Sequence, residues 1–148
     1  YGLAGLRIGI LAGHASQISM VRRAASPYNV NAVALAVLPE ALQDQRYVER
    51  YVAEVKQGRE ILERELRTLG LQYWPSRANF VLVRIGPPYA EFIREFRKRG
   101  ILVRDRSADH GCEGCVRLTV GSCEHTQILI SALRDVAGKL SLTSEVKA

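Results

Sequence analysis

The sequence predicts an α/β chain: a long helix leading into a small two-layer α/β unit with a mixed sheet. Three observations predict it. Apolar residues recur with a helical period from Tyr47 to Leu69. From Leu71 onward the segments alternate as strand, strand, helix, strand, strand, helix, an order that places helices over one sheet face. The composition is 47% hydrophobic and 24% charged over 148 residues, enough apolar chain to build a core of ordinary size.

In order, the opening run Tyr-Gly-Leu-Ala-Gly-Leu-Arg-Ile-Gly-Ile has no initiator Met, and the only Met is Met20. A small-residue turn, then Arg7, then a short buried strand Arg7–Ala12 reads as the interior of a domain. The expectation is a chain that forms the carboxy-terminal part of something larger. Ser16–Ala25 has helical spacing and stops at Ser26-Pro27, because the residue before proline disfavours helix. Val30–Leu42 is rich in Ala, Val and Leu and nearly uncharged, which predicts a fully buried helix or one packed on a large partner surface. Pro39 predicts a bend or an end there.

In Tyr47–Leu69 the inward positions are Val48, Tyr51, Val52, Val55, Leu62, Leu66 and Leu69, and Gly70 suits the position just past a helix end. Arg46 to Arg67 interleaves with Glu49, Glu54, Glu60, Glu63 and Glu65, the pattern of a solvated helix face with i,i+4 pairs. Leu71–Trp74 and Asn79–Ile85 read as strands, the second by its β-branched content. Tyr89–Arg99 is an amphipathic helix ended by Gly100. Ile101–Arg104 reads as a strand, Asp105–Gly114 as a polar loop. Val116, Leu118 and Val120 alternate with Arg117 and Thr119, which predicts a half-buried strand. Ser122 is a good N-cap and Glu124 suits the positive end of a helix running to about Lys139. Ser141–Ala148 reads as a polar tail. The domain expectation is residues 1–45 as the end of one domain, 46–70 as a bridging helix, 71–140 as a small domain and 141–148 as a tail.

The net charge is +6. A basic chain attracts nucleic acid, phosphate-bearing metabolites or acidic partners. Here no Lys/Arg run is interleaved with aromatics, which argues against nucleic acid. No apolar run reaches the roughly 18 residues needed to span a bilayer, and no signal-peptide pattern is present. The expectation is a cytoplasmic chain without a membrane partner.

Three arginines stand out as anion-seeking. Arg7 follows a two-glycine turn. Arg117 projects from the polar face of an apolar strand. Arg104 ends the neighbouring strand in Val-Arg-Asp-Arg. A planar, permanently charged guanidinium suits phosphate and carboxylate. Each also has a plainer reading: a turn residue for Arg7, an acid partner for Arg117, a salt bridge to Asp105 or Asp109 for Arg104. Cys112-Glu-Gly-Cys115 has the spacing of a zinc or redox pair, with Cys123 and His125 eight and ten residues beyond Cys115. A strand between the two clusters separates them, so small buried or loop thiols are the favoured reading and no metal is expected. No Ser/His/Asp or Cys/His arrangement emerges. The residues alone leave open a non-catalytic α/β module that binds an anion or a partner.

Five segments in one order change that reading: Gly2-Leu3-Ala4-Gly5-Leu6-Arg7-Ile8-Gly9, Pro27-Tyr28-Asn29-Val30-Asn31, Ala78-Asn79-Phe80, Gly100-Ile101-Leu102-Val103-Arg104 and Val116-Arg117-Leu118-Thr119-Val120-Gly121. Together they resemble the carboxy-terminal half of the histidinol-phosphate aminotransferase family, within the fold-type I, class I and II pyridoxal-phosphate-dependent aminotransferases. The resemblance runs from Tyr1 to about Leu140. It implies the end of a large cofactor domain, a bridging helix and the small domain, in a homodimeric enzyme of small-molecule amino-acid or amino-alcohol phosphate substrates. It implies that Arg7 grips the phosphate of pyridoxal phosphate, that Arg117 binds the substrate carboxylate and that Arg104 lies near the substrate's distal phosphate. The family's Schiff-base lysine belongs just before the Gly-Leu-Ala-Gly-Leu-Arg turn, a position upstream of Tyr1. The resemblance therefore implies no catalytic residue among these 148 and no activity from them alone.

Overall fold

The computed structural model describes residues 1–142. The chain divides into two compact units, Tyr1–Glu49 and Arg50 onward.

The first unit opens with a 3-10 turn, Ala4–Leu6, closed by Arg7 in the left-handed region at φ 55°. Helix α1 follows at Ala15–Ala24 and α2 at Ala32–Gln43. Asn31 caps α2, its Oδ1 accepting from Val33 N–H at 2.8 Å and Ala34 N–H at 3.3 Å. The strand expected over Arg7–Ala12 does not form: among the described residues nothing pairs with it, and a strand exists only through a neighbour. Ile10 and Leu11 are exposed instead. Helix α2 departs from the first of its two readings, a fully buried helix. It runs through Pro39 to Gln43, and of its residues only Ala34 is buried, while Val33, Leu35, Val37 and Leu42 face solvent. It is not a buried helix within this chain.

Helix α3, Gln45–Thr68, begins in the first unit and continues as an element of the second. The second unit then runs β1 (Tyr73–Trp74), β2 (Phe80–Arg84), α4 (Tyr89–Lys98), β3 (Arg104–Asp105), β4 (Cys115–Thr119) and α5 (Cys123–Lys139). The strands form one sheet in the order β1-β2-β4-β3. Every pairing is antiparallel, where the sequence reading expects a mixed sheet. The reason lies in the neighbours: β2 and β4, separated by α4 and β3, run side by side in opposite directions, and β3 joins the outer edge of β4. Ile101–Val103 leads into β3 without joining the ladder.

One sheet face carries Val81, Val83, Val116 and Leu118, all fully buried. They share a core with Leu62 and Leu66 of α3, Phe92 and Phe96 of α4, and Leu133 and Val136 of α5. Phe92 and Phe96 stack with ring centroids 4.5 Å apart. Helices α3 and α4 end alike: Gly70 and Gly100 take positive φ, and the next N–H, of Leu71 or Ile101, returns 3.0 Å to the carbonyl of Leu66 or Phe96. Ser122 caps α5, accepting from His125 N–H at 3.3 Å.

The acidic residues of α3 do more than solvate its face. Glu65 takes Arg134 of α5 through two bonds of 2.7 and 2.5 Å, and Glu63 accepts from Ser76 N–H at 3.3 Å. Glu95 of α4 is buried beneath three cations, Lys98 at 2.7 Å, Lys139 at 2.9 Å and Arg99 at 3.0 Å. Hydrogen bonds from Lys98, Lys139 and Arg99 hold its carboxyl down at about 2. Of the expected tail, Leu142 packs against the core with its N–H on Ala137 O at 2.9 Å; residues 143–148 lie outside the described residues.

Candidate anion-binding site

The second sheet face is built from the alternate positions, Phe80, Leu82 and Arg84 of β2 and Cys115, Arg117 and Thr119 of β4. None of these six side chains belongs to the buried core cluster. The register places Arg117 opposite Leu82 on one side and opposite Arg104 of β3 on the other. Two of the three arginines singled out by sequence thus become direct cross-strand neighbours. Like charges in that relation are unfavourable by themselves.

Arg117 is half-buried, with its guanidinium carbon 4.9 Å from the centre of the Phe80 ring. Its Nε is buried and has no hydrogen-bond partner. A buried donor left unpaired costs free energy, which marks the atom as awaiting an acceptor. The plainer readings of both arginines fail on the acids. Asp109 is paired with Arg106, and Asp105 accepts from Ser107 N–H at 2.8 Å and from its hydroxyl at 2.6 Å. Among the described residues no carboxylate pairs with Arg104 or Arg117.

Arg7 lies in the first unit. It lines an open hollow of about 450 Å³ with Gly5, Leu6, Asn29, Asn31 and the first turn of α2. The lining is cationic, amide and apolar, with no carboxylate, and a helix amino terminus adds partial positive charge. That donor set fits a phosphate.

Arg84 and Phe80 were not picked out by sequence reasoning as parts of this face. Their signal was the alternation of Phe80, Leu82 and Arg84 with Val81 and Val83, but only the register with β4 shows which of the two sets is uncovered. Among the described residues no group of three or more His, Cys, Asp or Glu converges. Nor is any described helix long and apolar enough to cross a membrane.

Comparison with known proteins gives the frame for these arginines. The family model for aminotransferase class I and II matches residues 1–133. Histidinol-phosphate aminotransferase 1 of Nostoc sp. (strain PCC 7120) is 39% identical over 137 residues, covering 92% of this chain and 38% of that protein. The histidinol-phosphate aminotransferase of Geobacillus sp. (strain WCH70) is 39% identical over 133 residues, covering 90% of this chain and 36% of that one. The chain therefore spans well under half the length of the curated relatives it matches. In three dimensions it superposes on histidinol-phosphate aminotransferase from Sinorhizobium meliloti, solved in complex with pyridoxal-5'-phosphate, with a TM-score of 0.82 at 27% identity, over 95% of this chain and 39% of that one. With the family model spanning both the Arg7 turn and the Arg104–Arg117 strand pair, this chain belongs to the class I and II aminotransferases.

Proposed function

We propose that this chain is the carboxy-terminal part of a pyridoxal-phosphate-dependent histidinol-phosphate aminotransferase, which moves an amino group between glutamate and 2-oxoglutarate on one side and histidinol phosphate and imidazole acetol phosphate on the other. Family membership and the relatives' names support the reaction. One observation in the fold carries it: Arg117, with a buried unpaired Nε, set directly opposite Arg104. The two substrates of such an enzyme bind in turn, one with a carboxylate and one with a phosphate. Adjacent guanidinium groups on one sheet face serve both anions.

Pyridoxal phosphate, when bound, supplies the electron sink for the amino transfer. The residues here hold and orient. Arg7 takes the cofactor's phosphate from the hollow at the start of α2. Arg117 takes the carboxylate of glutamate, its guanidinium carbon 4.9 Å from the centre of the Phe80 ring. Arg104 takes the phosphate of the second substrate. The lysine that carries the cofactor in this family precedes the glycine turn and is not among these 148 residues, so the chain alone is expected to be inactive. Borohydride reduction with pyridoxal phosphate should leave no pyridoxyl group fixed on one particular lysine.

In the whole enzyme the arginines should separate. Arg7→Gln should weaken cofactor retention, since charge-assisted bonds contribute roughly 1.5–3 kcal/mol each, or about one to two decades in affinity. Arg117→Gln should leave the cofactor bound and lower kcat/KM for glutamate. Arg117→Lys should restore only part, because an ammonium lacks the fork. Melting temperature, cofactor affinity and kinetics measured together decide the matter, and equal loss of cofactor binding in both variants would sink this division.

The second reading is a module that binds anions without catalysis. It is favoured by the placement of Arg104 and Arg117 in one unit with its own core. Calorimetric titration of the chain with phosphate and with glutamate separates them: tight binding without the rest of an enzyme supports the module.

A further inference from the structure

We propose that Cys112 and Cys115 form a reversible intramolecular disulfide, so that the turn opening β4 is a site of thiol–disulfide exchange with small disulfides. The inference stands on the turn and its thiols and is independent of the cofactor and substrate roles assigned above.

The geometry begins with the backbone. Cys115 N–H donates to Cys112 O at 2.8 Å, closing the four-residue turn Cys112-Glu113-Gly114-Cys115. Gly114, the second central residue, has φ +70°, as a type II turn requires. Such a turn brings its end Cα atoms within about 7 Å, and a disulfide bridges Cα atoms about 4.4–6.8 Å apart. The two cysteines occupy the first and last positions of this turn, which is where a short bridge across it would join. Both are free.

The turn is held from outside. Gly114 O accepts from Ile85 N–H at 2.9 Å and Gly86 N–H at 3.1 Å, and Cys112 N–H donates to Asp109 O at 3.0 Å. A Cβ on Gly114 would lie 2.8 Å from Gly86, so turn and strand end are in close contact.

The two thiols are unequal. Cys112 is half-buried and open to a reagent, whereas Cys115 is 1% exposed. Burial pushes the Cys115 thiol up, with the nearby Arg84 charge opposing it. The order of steps follows. The Cys112 thiolate attacks one sulfur of a small disulfide such as oxidised glutathione. The reagent's S–S bond breaks, one thiolate leaves and a mixed disulfide forms. Cys115 gives up its proton, and its sulfur attacks Cys112 Sγ and expels the second thiolate. Two protein thiols are oxidised and one reagent disulfide is reduced to two thiols. Cys123 takes no part: its Sγ lies against Glu54 O at 3.8 Å, at the junction of α5 with α3. So short a ring removes little chain entropy, so the bond acts locally rather than as a global staple.

The test equilibrates the reduced 148-residue chain with a series of oxidised-to-reduced glutathione ratios, traps free thiols by alkylation and maps the peptides by mass spectrometry. The expected product is a peptide in which Cys112 and Cys115 have lost two hydrogens between them and resist alkylation, while Cys123 is alkylated. Dithiothreitol should reverse it. C115S should stop at a glutathione adduct on Cys112, and C112S should leave Cys115 unmodified. The same series in denaturant should need a more oxidising ratio, because the folded turn no longer holds the thiols together. Free Cys112 and Cys115 at every ratio would overturn the proposal. So would a stable glutathione adduct on Cys112 of the unsubstituted chain, a Cys112–Cys123 or intermolecular disulfide as the main product, or equal midpoints with and without denaturant.

Discussion

The two units differ in where they keep their apolar side chains. From Arg50 onward, fully buried residues from α3, α4, α5, β2 and β4 close one core. Of the first 49 residues only Ala34 is buried, and Ile10, Leu11, Val33, Leu35 and Val37 are exposed. Both segments are apolar in sequence. What separates them is partners: each helix of the second unit meets a sheet face, whereas α2 has a hydrophobic surface that the chain leaves uncovered. The chain spans well under half the length of the curated relatives it matches.

The contrast breaks most sharply under truncation of side chains. Phe96→Ala should cost about 3–5 kcal/mol, because it removes a fully buried ring from a closed core. Leu35→Ala, at 54% exposure, should stay within about 0.5 kcal/mol. Urea unfolding of both variants measures it. A large loss at Leu35 would mean that the first unit has a core of its own.

Association should follow the same asymmetry. Val33, Leu35, Val37 and Leu42 of α2 are exposed, and exposed apolar side chains grouped on one element promote association. The chain should self-associate with concentration in sedimentation and bind a hydrophobic dye. Leu35→Ser together with Val33→Ser should reduce both, while leaving the second unit folded. A clean monomer at high concentration without dye binding would count against it.

Acid should act first on the second unit. The folded pKa of Glu95, about 2, lies below its ordinary value of 4.5. A depressed carboxyl contributes stability that is present above 4.5 and is lost as pH falls from there toward 2. The melting temperature should drop through that window, and Glu95→Gln should be less stable at neutral pH and flatter across it. An unchanged slope in the variant would place the acid sensitivity elsewhere.

The smallest effect is the most telling about the site. Arg104→Gln removes one of two facing like charges and should stabilise the fold by about 0.2–1 kcal/mol while weakening phosphate binding. A gain in stability with a loss of binding marks residues kept for a ligand. A loss of both would make Arg104 part of the scaffold.

Much of the second unit was readable in advance because its signals are local. The period of α3, the left-handed ends at Gly70 and Gly100, the Ser122 cap and the alternation in β4 each depend on residues within a few positions of one another. Arg7, Arg104 and Arg117 stood out for the same reason, as charge set into apolar or glycine-rich surroundings. The failures share a cause too. A strand over residues 7–12 needs a neighbour that local pattern cannot supply, and the direction of the sheet depends on which strand lies beside which.

By itself, then, the sequence determined the helices of the second unit, their ends and the inward residues of β4. Only tertiary structure decided that Arg104 and Arg117 face each other across a strand pair, that three cations converge on Glu95 and that Cys112 and Cys115 share a clamped turn. Helical period and capping are written within a few residues of chain, whereas register joins residues far apart, and its free energy exists only once both strands are in place.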